Sequence, residues 1–399
     1  VVGHDPRESS DELARAVAEG FRAEGLDVVY AGMLPTPAVA FLAATTGRAG
    51  AVITASHNPY TDNGLKFFRP GGTKLTEADE AAIQSLYEGF VADHVPFVPP
   101  SGNIDAGGGD YVGHLVSMAT DVSPGLRVVV DCANGAMSMV APELLSRIGV
   151  EALVFNASPD GSNINVACGA AHPEALAALV RANRCDLGIA FDGDGDRLIA
   201  AAADGTIVDG DHLIAIAALD MKSRGALVGN SVVVTVMSNI GFHRAMESAG
   251  INVLTTPVGD RSVLVELERS GAVLGGEQSG HIIHRDVATT GDGLLAAIRL
   301  LGIISRTQRS IADLAASAMK SFPQVLLNVS VVGDAKDALA ACVDTIREAE
   351  VQLAGSGRVL VRASGTEPVV RVMVEARDER LAREIAERIA AAVRVSATD

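Results

Sequence analysis

Three aspartates at i, i+2 and i+4 in Phe191-Asp192-Gly193-Asp194-Gly195-Asp196-Arg197 crowd three negative charges into one glycine-spaced loop. Such crowding is costly unless a cation sits nearby. Carboxylate oxygens are hard ligands that suit Mg2+, Mn2+ or Ca2+ better than zinc. Counted from Asp192, the sixth position is Arg197 and the twelfth is Ala203, so the glycine and glutamate of an EF-hand are both missing. Three anionic ligands with few neutral partners favour Mg2+, which keeps coordination places open for water or a phosphoryl oxygen. A plain Gly/Asp hairpin turn is the bland alternative, and the triple alternation argues against it. The expected chemistry is that of phosphate on a hard metal.

Further stretches carry groups that fit this chemistry. In Thr54-Ala55-Ser56-His57-Asn58-Pro59 a hydroxyl stands at the end of an apolar run beside an Asn-Pro turn, where it is placed to be a nucleophile. No GxSxG pattern surrounds it, and adjacent side chains point apart in extended chain, so Ser56 and His57 are not expected to form a ready-made Ser-His couple. Lys66 follows within reach of one loop, as a proton acceptor or a phosphate partner. Between glycines that let backbone approach a ligand, Glu277, Gln278, Ser279 and His281 offer a carboxylate, an amide, a hydroxyl and an imidazole suited to sugar hydroxyls. Arg362-Ala363-Ser364-Gly365-Thr366-Glu367-Pro368, with Arg371 close by, has the makings of a phosphate cradle through Arg362, Ser364, Gly365 and Thr366. Each stretch alone is a weak signal: the serine stretch reads more readily as a structural turn, Lys66 as a solvated surface lysine and the glycine-flanked stretch equally well as a tight polar hairpin. Together they point to phosphoryl transfer on a sugar phosphate.

These loops need scaffolds, and a chain of 399 residues is too long for one core. The formal charge of −17 argues against a general nucleic-acid or membrane-surface binder. The scattered Cys132, Cys168, Cys185 and Cys342 lack CxxC spacing and read as core residues of a reduced, cytoplasmic protein. No signal peptide and no apolar run of spanning length stand in the sequence, and a start at Val1 suggests that an N-terminal piece is missing. Helices are expected after Ser9 or Ser10 as far as Gly25, over 36–47, 111–120, 136–148, 173–183, 211–224, 242–249, 293–304, 335–353 and 379–393. Strands are expected over 26–30, 50–54, 126–131, 152–155, 186–191, 198–203, 231–237, 251–255, 325–332, 358–362 and 369–375. A Pro/Gly-rich stretch over 96–109 marks a linker. The alternation predicts three similar mixed α/β domains, 1–108, 109–209 and 210–322, followed by an α+β domain over 323–399.

On the residues quoted above, the whole chain resembles the α-D-phosphohexomutase superfamily. Thr54 to Pro59 is similar to that family's phosphoserine loop, Asp192 to Arg197 to its metal loop, Gly276 to His281 to its sugar loop and Arg362 to Pro368 to its phosphate loop. Gln278, Asn163-Ile164-Asn165 with Cys168-Gly169, His172-Pro173-Glu174 and Pro257-Val258-Gly259-Asp260-Arg261 resemble the glucosamine branch. The resemblance implies an active site in a central cleft and a phosphorylated Ser56 that shares Mg2+ with Asp192, Asp194 and Asp196. It further implies Lys66 as general acid/base, with His57 and Arg197 beside the reacting groups. The implied reaction interconverts glucosamine 6-phosphate and glucosamine 1-phosphate through a bound glucosamine 1,6-bisphosphate, for amino-sugar nucleotide and cell-wall precursor synthesis. Phosphomannomutase/phosphoglucomutase activity is the alternative, and an aspartyl-phosphate phosphatase or a non-catalytic sugar-phosphate sensor are remoter ones. The family opens on a Gly-Thr-Asp-Gly-Val-Arg-Gly segment, and this chain starts just beyond it. Arg7 is a further active-site candidate, and the partner expected is a small sugar phosphate, with oligomeric state left open.

Overall fold

The computed structural model describes residues 1–89, 108–331, 334–364 and 368–396. Two compact units are present, Val1–Met237 with Ala249–Ala318, and Ser238–Ser248 with Met319–Asp399.

The first unit repeats one sheet plan three times. Strand Val2–His4 pairs in parallel with Tyr30–Met33 and Gly50–Ile53, and Leu65–Phe68 closes the edge antiparallel to Gly50–Ile53. Arg127–Asp131 is flanked in parallel by Glu151–Phe155 and Leu187–Phe191, with Leu198–Ala202 and Ile207–Val208 added antiparallel. Ser231–Thr235 is flanked in parallel by Asn252–Thr256 and Leu274–Gly276, with Ile282–His284 antiparallel at the edge. In each sheet the chain therefore turns from a parallel strand into an antiparallel one at the same topological place. The three turns are residues 54–64, 192–197 and 277–281, which are the serine, aspartate and Glu-Gln-Ser stretches. Parallel strands covered on both faces must be apolar throughout, and Val128, Val129, Val130, Leu187, Ile189, Ala190 and Phe191 are all buried. The three turns thus each follow a strand that is buried along its whole length.

The second unit is a three-stranded antiparallel sheet, with Val369–Glu375 between Gln324–Ser330 and Arg358–Ala363. Helices Ala335–Ala341, Val343–Leu353 and Glu379–Ser396 accompany it. Val370, Val372 and Val374 pack with Ile385, Ile389 and Val393 in its core. The α+β expectation holds.

Several local expectations are corrected. The strand expected over 26–30 begins only at Tyr30, because the three residues of Val2–His4 offer it partners at Tyr30, Gly32 and Met33. The helix expected over 335–353 is interrupted at Cys342 (φ −102, ψ 5). Helix Ser10–Ala23 has no side-chain cap from Ser9, and Ser10 gives its hydroxyl to Asp5 instead. Strand Leu65–Phe68 and helices Glu77–Glu88, Asp260–Ser270 and Ile311–Ala318 are additional to those expected. The stretch expected to be a linker lies outside the described residues up to 107. All four cysteines are buried. Among the described residues no helix is long and apolar enough to cross a membrane.

Candidate active site

Ser56 leaves its strand in the left-handed region, with φ 51, a conformation that surrounding contacts must enforce on a residue with a Cβ. Asp5 and Arg7 supply those contacts. The Asp5 carboxylate accepts from Arg7 Nε (2.8 Å), Ser10 Oγ (2.7 Å) and Thr54 Oγ1 (2.7 Å). Thr54 Oγ1 in turn accepts the Ser56 backbone N–H at 2.9 Å. Arg7 spends the rest of its guanidinium on carbonyl oxygens of the serine loop. It donates to Ser56 (2.9 Å), Asn58 (3.0 Å), Asp62 (3.1 Å) and Pro59. Arg7 and Asp5 are both buried, and every donor of that buried guanidinium group is directed at loop backbone or at Asp5.

So held, Ser56 Oγ donates to Asp192 Oδ2 at 2.6 Å and lies 3.4 Å from His57 Nδ1. The expectation that Ser56 and His57 point apart is therefore corrected. Left-handed backbone at Ser56 swings its side chain toward the imidazole, although the hydroxyl proton goes to the much closer Asp192. Partial burial and the charge of Arg197 lower the pKa of His57 below its ordinary value.

The three aspartates lie together, buried, with one carboxylate oxygen from each within 4.8 Å of the others. Lys66 Nζ donates to Asp194 Oδ2 (2.6 Å) and Asp196 Oδ2 (3.1 Å), and Thr36 Oγ1 donates to Asp194 Oδ2 at 2.5 Å. Asp194 Oδ1 and Asp196 Oδ1 are buried without a hydrogen-bond partner. Buried carboxylate oxygens left unpaired are expensive, and a divalent cation of hard character is the group that fits them. The electrostatics agree. Burial and the charges of Asp196 and Asp194 push the Asp192 carboxyl up, against Arg197 and the Ser56 hydrogen bond. Burial also opposes ionisation of Asp196, but Lys66, His281 and Arg197 together hold it well below the usual carboxylate range. For Lys66 burial favours the neutral amine, and Asp194, Asp196 and Asp192 outweigh it, keeping the side chain a firm ammonium.

The loop has no room for side chains at its glycines. A Cβ on Gly193 would stand 2.5 Å from the Ser56 carbonyl oxygen, and one on Gly195, where φ is +74, would stand 2.5 Å from Met137 Cε. Arg197 closes the loop through its backbone N–H to Asp192 Oδ1 (3.1 Å), with its Nε 3.9 Å from both Asp192 and Asp196.

The third turn joins this centre through backbone. Leu198 N donates to Gly280 O (2.9 Å), Arg197 forms a β-bridge with His281, and His281 Nδ1 is 3.5 Å from Asp196 Oδ1. Glu277 Oε1 accepts from Gly259 N (3.0 Å) and Gln278 Nε2 donates to Asp209 Oδ2 (3.3 Å), while Ser279 is exposed. Ser56, His57, Lys66, Asp192, Asp194, Asp196, Arg197 and His281 thus converge, with Arg7 behind them. Asp5 and Thr36, which touch this centre, escaped the sequence analysis, and Asn165, which also touches it, entered there only within a stretch that resembles the glucosamine branch, with no role at the site. Only the close Asp5-Pro6-Arg7 spacing offered a local signal for the first.

In the second unit Arg362 and Arg371 face each other across neighbouring strands. Like charges directly opposed are destabilising, and burial followed by the Arg371 charge lowers the pKa of Arg362. An anion between two such guanidinium groups relieves both effects. Ser364 follows at the strand end. Gly365 and Thr366 lie outside the described residues.

The chain matches, in order, the phosphoglucomutase/phosphomannomutase alpha/beta/alpha domains I (residues 1–90), II (109–205) and III (209–322) and the C-terminal domain (326–392). It is 49% identical over 397 residues to a phosphoglucosamine mutase of Saccharopolyspora erythraea, covering 98% of this chain and 88% of that protein. Identity to a phosphoglucosamine mutase of Mycobacterium tuberculosis is 47% over 402 residues, covering 98% and 89%. Among solved structures, a phosphoglucomutase/phosphomannomutase family protein of Burkholderia thailandensis superposes with a TM-score of 0.80 at 28% identity, over 99% of this chain and 88% of that one. The N-acetylphosphoglucosamine mutase of Aspergillus fumigatus, solved with GlcNAc-6P and magnesium, shares the fold with a TM-score of 0.68 at 20% identity, over 91% and 92%.

Proposed function

The chain belongs to the phosphoglucomutase/phosphomannomutase family, and from that premise we propose that it interconverts glucosamine 6-phosphate and glucosamine 1-phosphate, with Ser56 as the phosphoryl carrier. One observation carries the reading: a hydroxyl hydrogen-bonded at 2.6 Å to a member of a buried aspartate triad in which Asp194 Oδ1 and Asp196 Oδ1 have no hydrogen-bond partner. The relatives that share its full length supply the glucosamine substrate.

In the forward half-reaction a sugar hydroxyl forms a bond to the phosphorus of phospho-Ser56 while the bond from phosphorus to Oγ breaks. The sugar becomes glucosamine 1,6-bisphosphate, and the proton it loses replaces phosphorus on Oγ. The bisphosphate then turns over and returns its other phosphoryl group to Ser56. Asp192, Asp194 and Asp196 would hold Mg2+, which would supply charge neutralisation for the phosphoryl group. Lys66, held as an ammonium, and Arg197 add fixed positive charge there. His57, neutral near pH 7 and beside Oγ, is the proton acceptor, with Lys66 as donor. Glu277 and Ser279 take sugar hydroxyls, Gln278 and His281 line the same loop, and Arg362, Ser364, Gly365, Thr366 and Arg371 hold the phosphate that is not reacting.

Intact mass and site mapping after incubation with glucosamine 1,6-bisphosphate should place one phosphate on Ser56. Ser56→Ala should abolish turnover while sugar-phosphate binding persists. A hydroxylamine-labile phosphate on Asp192 would instead identify a phosphatase. Equal kcat/KM for glucosamine, glucose and mannose phosphates would place the activity in the phosphomannomutase/phosphoglucomutase branch.

A further inference from the structure

Segment 163–169 is unusually constrained for a surface connection. Asn165 and Ala167 have φ values of 59 and 52, and Gly169 has φ 73. A Cβ on Gly169 would stand 2.5 Å from Ala133 Cβ and 2.6 Å from the Phe191 carbonyl oxygen. The backbone N–H of Asn165 donates to Ala133 O at 2.9 Å, and that of Gly169 donates to the buried Asp131 Oδ2 at 2.8 Å. Asp131 Oδ1 accepts from Ala133 N at 2.9 Å, and Ala170 N donates to Phe191 O at 2.8 Å. The segment is therefore tied at both ends to the floor beneath the aspartate loop.

From that floor one side chain reaches the serine loop. Asn165 Nδ2 donates to the Ser56 carbonyl oxygen at 2.9 Å and lies 3.5 Å from that of Asn58. The opposite amide orientation would set Oδ1 against two carbonyl oxygens, so the donor assignment follows from the chemistry. The Ser56 carbonyl thereby receives two donors, Asn165 from the second sheet domain and Arg7 Nη2 (2.9 Å) from the first. Gly193 fills the space between, since a Cβ there would meet Ser56 O at 2.5 Å, Ile164 Cδ1 at 2.7 Å and Asn165 Nδ2 at 2.9 Å.

We infer that Asn165 is a positioning residue that fixes the phosphoryl-bearing serine against the aspartate loop. Its buried amide transmits the placement of the second domain's floor to the Ser56 peptide plane. Arg7 fixes the serine loop within its own domain, and Asn165 sets its register on the other. The inference rests on Ser56 being the phosphoryl carrier. Misplacement lets water attack the phosphoserine. A water oxygen bonds to phosphorus, the bond to Oγ breaks, Oγ takes a water proton, and inorganic phosphate leaves.

The test uses the full chain, phosphorylated with glucosamine 1,6-bisphosphate, and the variants Asn165→Asp and Asn165→Gly. Both tolerate positive φ; the first turns the donor into an anion facing the Ser56 carbonyl, and the second removes it. Per phosphorylated Ser56, kcat should fall roughly ten-fold to 100-fold, the range that small misplacements of a reacting group produce. KM should stay within about two-fold, because no substrate contact is touched. Inorganic phosphate released per turnover should rise. An asparagine that only supports the fold would lower the melting temperature and leave kcat per phosphoserine and phosphate leakage at wild-type values, and that result overturns the inference. If Asn165→Asp does not fold, Asn165→Gly is scored alone by the same criteria. Wild-type protein without phosphate on Ser56 would sink the carrier reading and this inference with it; phosphoserine with unaffected variants would sink the inference alone.

Discussion

Lys66 and a divalent cation have claims on the same carboxylates, so replacing the lysine should tighten metal binding while damaging turnover. Lys66 Nζ is 2.6 Å from Asp194 Oδ2 and 3.1 Å from Asp196 Oδ2, both carboxylates being buried. Hydrogen bonds to charged groups contribute about 1.5–3 kcal/mol each. The ammonium therefore opposes a second cation by a similar amount, equivalent to roughly ten-fold to 100-fold in Kd. Lys66→Met removes the charge and keeps an unbranched apolar stem, and Thr36 still holds Asp194 through Oδ2. Protons become the remaining competitor, since burial and neighbouring charge already push Asp192 upward. Calorimetric titration with Mg2+ should give tighter binding in the variant at pH 8, and this gain should shrink at lower pH as the triad takes up a proton. In the same preparation kcat should fall by roughly 10²-fold or more, because the proton donor and a fixed positive charge are both gone. Unchanged or weaker Mg2+ affinity at pH 8 would refute the view that lysine and metal share these aspartates.

Three further outcomes are expected. Gly193→Ala should lower kcat at least roughly ten-fold and weaken Mg2+ binding, since its Cβ would stand 2.5 Å from the Ser56 carbonyl oxygen and the loop must shift; steady-state rates and metal titration check both. Asp292 caps helix Gly293–Thr307 through Leu295 N and accepts from Tyr111, and burial pushes its carboxyl up to about 6. Because the folded pKa exceeds the unfolded one, its contribution is full below about pH 4 and is lost as pH rises through about 6, so Asp292→Asn should flatten the loss of thermal stability across that window, and an unaltered slope would count against it. Arg362→Ala should raise KM for both sugar-phosphate isomers by roughly ten-fold to 100-fold while melting is unchanged or slightly higher, because the opposed Arg371 loses a like charge; an effect on one isomer alone contradicts a shared clamp.

What could be known from the residues alone was chemical and local. Asp192, Asp194 and Asp196 announce a hard-metal site by type and spacing, and apolar runs such as 187–191 announce buried strands, because both signals lie within a few consecutive residues. Glu77–Glu88, which buries none of its side chains, and Leu65–Phe68, whose Leu65 is exposed, carry too little periodicity to be read that way. Other decisions were made only by tertiary structure. Three separate turns fall at the same parallel-to-antiparallel switch of three sheets, which no local pattern states. Adjacent Ser56 and His57 approach each other because Ser56 adopts positive φ, and that conformation is enforced by Asp5, Arg7, Thr54 and Asn165 from as far along the chain as 109 residues. Arg7 illustrates the division best. The sequence offered it only as a further active-site candidate, and the fold buries it and directs its donors to the backbone that carries Ser56. A side chain's chemistry is local, but the partner that satisfies it is chosen by packing.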